Sequence, residues 1–273
     1  MTLPGILVVG TDTGVGKTRV AAAIARCLIL DGRRVGVLKP VATGVIREGD
    51  SWRSEDVDHL IEAIGGGVER DRVCPLGFEE PLAPVVAARL VGVTLQFSRI
   101  EEEVNNALAW WAEHAEVMVV EGVGGLLTPL AEGTTVADLA LSLDYPLVIV
   151  ARRGLGTLNH TLLTVEAARS RGLRLAGVVL NSATMTAEPL VEATNRSELV
   201  RRLGGVSILA ELAHRPDPRT LSVALRFVDW ARWARPPRRL AQLDGPPPSR
   251  APAPEFEAIE PPGTASRARE IDG

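Results

Sequence analysis

The sequence predicts an α/β fold, a mostly parallel central sheet with helices on both faces, from three observations. Continuous apolar runs of strand length recur at residues 6–9, 117–120, 147–150 and 176–180, as expected of strands buried on both faces. Segments of helical length separate them, and that alternation implies parallel strands joined by right-handed crossovers. The first run leads into a glycine-rich stretch, Gly10-Thr11-Asp12-Thr13-Gly14-Val15-Gly16-Lys17-Thr18, and then into an amphipathic segment over residues 19–30.

Taken in order, that first strand, loop and helix have the layout of a phosphate cradle, and the predicted fold is P-loop NTPase-like. Loop N–H groups and the positive end of the helix dipole face an anion, Lys17 supplies a mobile charge, and Thr18 offers a hydroxyl to Mg²⁺. The spacing is irregular: the usual motif has four residues between its glycines, whereas Gly10 and Gly16 enclose five. After a turn at Asp31-Gly32, residues 34–38 read as a second strand ending in Lys39-Pro40-Val41-Ala42-Thr43-Gly44. Proline and glycine stop that strand, which leaves Lys39 and Thr43 on a loop at a strand's carboxyl end, where open α/β sheets place ligands. A polar stretch over 47–53 precedes a helix beginning at Ser54-Glu55-Asp56, where Asp56 by itself needs only to favour the helix dipole.

Residues 65–97 are rich in glycine and proline and predict little beyond a short helix at 85–90. Ser98-Arg99-Ile100-Glu101 has capping-box spacing and opens a helix to His114 that carries Trp110 and Trp111 as core or interface residues. The strand at 117–120 runs into Glu121-Gly122-Val123-Gly124-Gly125, a carboxylate at a buried strand end followed by glycines that admit a ligand. That is the Walker B arrangement, in which the carboxylate holds Mg²⁺ or its waters. Asp138 reads as an ordinary helix residue and His160 as a packed one. The strand at 147–150, a loop through Gly154, Gly156 and Thr157, and a helix over 157–171 follow; the helix's first N–H groups can accept a carboxylate. Asn181 directly follows the strand at 176–180 and has donors and an acceptor for a base edge. A last strand at 208–212 and a closing helix at 218–235 complete residues 1–235. Nine of the nineteen prolines fall in residues 236–273, which are expected to form a disordered tail.

Composition narrows the function classes. Only 4% of the 273 residues are aromatic, so aliphatic side chains build the core. A net charge of −4 argues against nucleic acid or an anionic membrane as partner. The first five residues lack a basic leader and no apolar run is long enough to span a bilayer, so a cytoplasmic protein is expected. Cys27 and Cys74 are too few for a disulfide framework. Of the thirty basic residues only Lys17 and Lys39 are lysines. A compact ammonium on a flexible stem does what a planar guanidinium cannot in a cramped phosphate site, which marks Lys39 as a second functional charge.

Read together, the phosphate loop, Lys39-Pro40-Val41-Ala42-Thr43-Gly44, Glu121-Gly122-Val123-Gly124-Gly125-Leu126-Leu127-Thr128-Pro129-Leu130 and Gly154-Leu155-Gly156-Thr157-Leu158-Asn159-His160 closely resemble ATP-dependent dethiobiotin synthetases. The five-residue gap is usual in that family. The resemblance implies a homodimeric, Mg²⁺-dependent ligase that uses ATP, CO₂ or bicarbonate, and diaminopelargonic acid. It implies that Lys17 and Lys39 are catalytic and that Gly14 to Arg19, Asp56, Glu121, Gly122, Val123, Gly124 and Asn181 bind nucleotide. Thr18, Asp56 and Glu121 would gather the metal, and Thr13, Thr43, Gly156, Thr157, Leu158 and Asn159 would bind the diamine substrate. Two departures stand out: Ala210 and Ala213 replace a glycine and a proline near the family's adenine pocket, and Arg152 and Arg153 precede Gly154. A partitioning-type ATPase, the nearest alternative of the same fold, would carry a second lysine inside the loop, and residues 11–14 have none.

Overall fold

The computed structural model describes residues 3–49, 51–182, 189–214 and 219–238. In chain order the strands are β1 (Gly5–Gly10), β2 (Val35–Leu38), β3 (Val41–Thr43), β4 (Ile46–Glu48), β5 (Ser51–Arg53), β6 (Leu76–Phe78), β7 (Val117–Gly125), β8 (Pro129–Ala131), β9 (Thr134–Thr135), β10 (Leu147–Arg152), β11 (Leu175–Asn181) and β12 (Ile208–Leu212). The helices are α1 (Lys17–Leu30), α2 (Glu55–Ala63), α3 (Arg70–Val73), α4 (Pro84–Leu90), α5 (Phe97–His114), α6 (Val136–Leu143), α7 (Thr157–Ser170), α8 (Pro189–Arg202), α9 (Arg219–Leu225) and α10 (Trp230–Trp233).

Six strands form one sheet in the order β12-β11-β10-β1-β7-β2, and every pairing in it is parallel. The apolar runs become its interior: Ile6 to Val9, Val117 to Val120 and Leu147 to Val150 are all buried. Helices pack around the sheet, α1 against α2 and α9, and α7 against α8. From β1 the chain first builds outward through β2 and β7, then crosses to β10 on the other flank of β1. The order therefore reverses at β1, and the crevice beyond its carboxyl end is where such a sheet opens to a ligand. Among the described residues no helix is long and apolar enough to cross a membrane.

Several local expectations are corrected. Residues 41–43 are not loop but β3, which pairs with β6 inside the stretch expected to lack regular structure. In the polar segment, Arg47 and Glu48 lie on β4 and residues 51–53 on β5, and the two strands pair antiparallel. No side-chain cap opens α5, which starts at Phe97, ahead of Ser98. The capping box lies instead at Thr135 and Asp138, where the Asp138 carboxylate accepts the Thr135 N–H at 2.8 Å. The closing helix is divided into α9 and α10. Trp111 is buried and donates to Arg72 O at 3.1 Å, while Trp110 stacks on His114. Pro236 and Arg238, the first part of the expected tail, are tied to the body through Arg174 and Asp144; residues 239–273 lie outside the described residues.

Candidate active site

The phosphate loop is held open by one glycine and one asparagine. Gly16 caps α1 at φ 90°, a left-handed conformation that a side chain would strain. Any Cβ there would also sit 2.3 Å from the Asn181 amide nitrogen. That amide group donates to Val15 O at 2.8 Å, so the end of β11 is fastened to the loop. Lys17, 7% exposed, donates to Asp12 O at 3.2 Å. Its pKa is lowered, chiefly by burial and then by the neighbouring Lys39 ammonium, although Glu121 works against the shift.

Lys39 leaves the sheet at the end of β2, where its N–H donates to Val73 O at 2.7 Å before the chain enters β3. Its ammonium is almost wholly buried and lies 2.6 Å from Asp56 Oδ2 and 2.8 Å from Glu121 Oε1. Burial opposes that charge, but Glu121 and Asp56 together outweigh it and raise the pKa of Lys39. Glu121 is brought in by β7. Val8 pairs with Glu121 and Gly10 with Gly125, so β7 takes two more residues than β1 over the same span and bulges beside the loop. Burial raises the Glu121 pKa, with Lys39 pulling the other way. Burial also opposes the Asp56 charge, but Lys39 and the Thr18 hydroxyl hold its carboxyl below the usual range.

Whether these groups suit a divalent cation can be tested on their hydrogen bonds. The Thr18 hydroxyl lies 2.7 Å from Asp56 Oδ1 and 2.8 Å from Glu121 Oε1, yet it has one hydrogen to give. Among the described residues, Glu121 Oε2 is buried without any partner. Two carboxylates and a hydroxyl with an unmet demand for positive charge fit a hard cation. Among the described residues no cluster of three or more His, Cys, Asp or Glu side chains exists, so beyond Thr18, Asp56 and Glu121 phosphate oxygens and water would have to complete the shell.

Thr13, Gly14, Gly16, Lys17, Thr18, Arg19, Lys39, Thr43, Asp56, Glu121, Val123, Gly124 and Asn181 line one cleft of about 710 Å³. Val15 lies buried beneath the loop and Gly122 within β7. Gly156, Thr157, Leu158 and Asn159 are not on this cleft. They open α7, the Thr157 side chain is buried against Thr161, and the Thr157 N–H is already given to Gly154 O at 3.3 Å. Sequence reasoning missed Glu55, His59 and Thr128 on the cleft wall. His59 follows Asp56 by nearly one helical turn, a spacing that could have revealed it. His160, expected to be a packed helix residue, is half-buried with its Nδ1 buried, and it also lines a second groove with Thr11 and Thr128. The cysteines match expectation: burial pushes the Cys27 thiol up to about 11 and the Cys74 thiol to about 12, which keeps both protonated and unreactive.

A parallel sheet whose first strand feeds a phosphate loop, with a strand-end carboxylate and two lysines in one cleft, defines a nucleotide-using enzyme of the P-loop class. A family model described as an AAA domain matches residues 4–219. The ATP-dependent dethiobiotin synthetase BioD of Anaeromyxobacter sp. (strain Fw109-5) is 46% identical over 217 residues, 78% of this chain and 91% of its own. The enzyme of that name from Bacillus subtilis (strain 168) is 38% identical over 208 residues, 75% of this chain and 85% of its own. This chain belongs to the ATP-dependent dethiobiotin synthetase family, whose members are ATP-dependent ligases. Among solved structures, the MinC:MinD cell division protein complex of Aquifex aeolicus aligns at 13% identity and a TM-score of 0.47, covering 82% of this chain and 93% of its own. That likeness is too remote to speak to function.

Proposed function

We propose that the chain closes the ureido ring of dethiobiotin from diaminopelargonic acid, CO₂ or bicarbonate, and MgATP, releasing ADP and phosphate in the cytoplasm. The observation that carries this reading is the convergence of Lys17, Lys39, Asp56 and Glu121 on one cleft beside the phosphate loop. In this reading one amine of the substrate captures CO₂ as a carbamate. The carbamate oxygen then takes the γ-phosphoryl group of ATP, and ADP leaves. The second amine attacks the carbonyl of the resulting mixed anhydride, and phosphate departs as the ring closes.

Carbamate and phosphoryl group are both anionic, so such a reaction needs positioned positive charge more than a protein nucleophile. Lys17 exchanges the Asp12 carbonyl for a γ-phosphate oxygen. Lys39, held as an ammonium by its two carboxylates, faces the carbamate and the leaving charge. Thr13 and Thr43 contact the diamine, and Asn181 reads the adenine edge with its remaining amide atoms. Thr18, Asp56 and Glu121 would hold Mg²⁺, which would neutralise phosphate charge during transfer. The position of Gly156 to Asn159 away from the cleft supports a homodimer in which each protomer's α7 N-terminus receives the substrate carboxylate held by its partner.

The test is phosphate release from ATP with bicarbonate, with and without diaminopelargonic acid. Release that requires the diamine and is matched by dethiobiotin supports the reading. Release indifferent to the diamine would refute it, and a monomer by solution mass during turnover would remove the dimer.

A further inference from the structure

The loop after β10 meets the phosphate loop at a contact that the proposed chemistry leaves unused. Gly10 pairs with Val150 in the sheet, and Thr11 N donates to Val150 O at 2.9 Å, so the two chains stay in register just past the strand end. Two residues on from that pair, Asp12 and Arg152 lie on the same side. Arg152 Nη2 is 2.7 Å from Asp12 Oδ2. Asp12 is itself the residue through which the loop is organised: its Oδ1 accepts the Thr13 N–H at 2.8 Å, and its carbonyl accepts the Lys17 ammonium.

We propose that Arg152 is a positioning residue of the phosphate loop, bracing Asp12 so that the loop keeps its shape when Lys17 turns from the Asp12 carbonyl to a nucleotide phosphate. The proposal rests on the ATP-using reading of the cleft. Without the brace, the movement of Lys17 removes the last side-chain donor holding Asp12. The loop then has to be ordered at the moment of binding, which weakens affinity by the fraction of loops already in shape. A neighbouring backbone cannot substitute for this brace, because β1 has ended and Asp12 makes no ladder bond. Arg152 itself is fixed from the other side, since it pairs with Asn181 of β11 in the sheet. The residue that fastens Val15 thus stands beside the one that fastens Asp12.

The experiment is calorimetric titration of the full chain with MgADP, for the parent, Arg152→Ala, Arg152→Lys, Asp12→Asn and the Asp12→Asn/Arg152→Ala pair, with thermal unfolding as a check on folding. Arg152→Ala is expected to raise the ADP Kd about tenfold, with Arg152→Lys recovering part of the loss. Asp12→Asn should absorb most of that effect, so that adding Arg152→Ala changes little more. In turnover, KM for ATP should follow the ADP Kd, and kcat should fall by a smaller factor. An ADP Kd for folded Arg152→Ala within about twofold of the parent, or additive losses in the pair, overturns the proposal. So does a large fall in kcat at unchanged KM, which would place Arg152 on the reacting groups. Because MgADP binding requires no diamine, a parent that binds ADP but makes no dethiobiotin sinks the functional reading alone, and a parent that binds no ADP sinks both.

Discussion

Two carboxylate clusters sit at opposite ends of the parallel sheet, and they are built differently. At the carboxyl ends of the strands, Asp56 and Glu121 share one ammonium and one hydroxyl, and Glu121 Oε2 is left without a partner. At the amino ends, Asp144 precedes β10, and both of its oxygens are taken by Arg238. Arg174 adds a bond to the Asp144 carbonyl and another to Pro236 O, and Gly5 N donates to Arg235 O at 3.1 Å. In the second cluster both carboxylate oxygens of Asp144 are taken within the polypeptide, although Arg174 Nε is buried without a hydrogen bond, and the cluster closes the C-terminal segment over the start of β1. The first, among the described residues, leaves a buried carboxylate oxygen without a donor. An ionic cluster whose demand is met holds a fold together, whereas one left short is arranged for something that arrives later.

The largest expected effect comes from the ammonium at the unfinished cluster. Lys39→Arg should retain nucleotide binding and, if the proposed reaction holds, lower turnover by about a hundredfold or more, since a guanidinium cannot take the place of an ammonium held between two carboxylates. Unchanged dethiobiotin formation would deny Lys39 its role. Next come Asp56→Asn and Glu121→Gln, each expected to raise the Mg²⁺ concentration for half-maximal activity by about tenfold or more. A metal titration for either variant identical to the parent's would remove that residue from the site.

The finished cluster should answer in the opposite way. Asp144 adopts φ 47°, which asparagine also tolerates, so Asp144→Asn isolates the charge. It should lower stability by about 1 kcal/mol, at the small end because Arg238 is partly open to solvent, and lower the melting temperature by about 2–4 °C without changing turnover. Burial works against the Asp144 charge, but the Arg238 hydrogen bonds hold its carboxyl below the usual range. A carboxyl whose folded pKa is depressed stabilises above its unfolded pKa and loses that contribution as pH falls through the folded value. The gap between parent and Asp144→Asn should therefore narrow below about pH 4; a gap constant down to pH 3 would mean the charge contributes nothing. Smallest of all, ending the chain after Arg238 should alter neither activity nor melting temperature, while ending it after Arg235 should lower the melting temperature alone.

The sheet was legible because its strands are buried on both faces, which leaves unbroken apolar runs such as Val117 to Val120. Lys17 and Lys39 stood out because arginine fills every other basic position. Asp56 did not, since a carboxylate in a helix's first turn has an ordinary explanation, and only resemblance raised it. The capping box was misplaced because Ser98-Arg99-Ile100-Glu101 has the right spacing, but the apolar contacts of Phe97 draw it into α5 ahead of that serine. Short strands such as β3 carry too few residues to show a period. The Arg152 brace and the Asp144 cluster were hidden for a different reason: each joins residues distant in sequence, Arg152 to Asp12 just past paired strands and Asp144 to Arg238 at the C-terminal segment, and only the folded chain brings them together.

The pairing of two lysines in one cleft has a practical consequence. The two lysines of these 273 residues both line the cleft, so amine acylation outside the α-amino group reports on the cleft. The two amines should not react alike, because Lys39 is held between two carboxylates at 2.6 and 2.8 Å whereas Lys17 donates to a backbone carbonyl. Bound nucleotide would shield Lys17, and the extent of labelling would then report how full the cleft is.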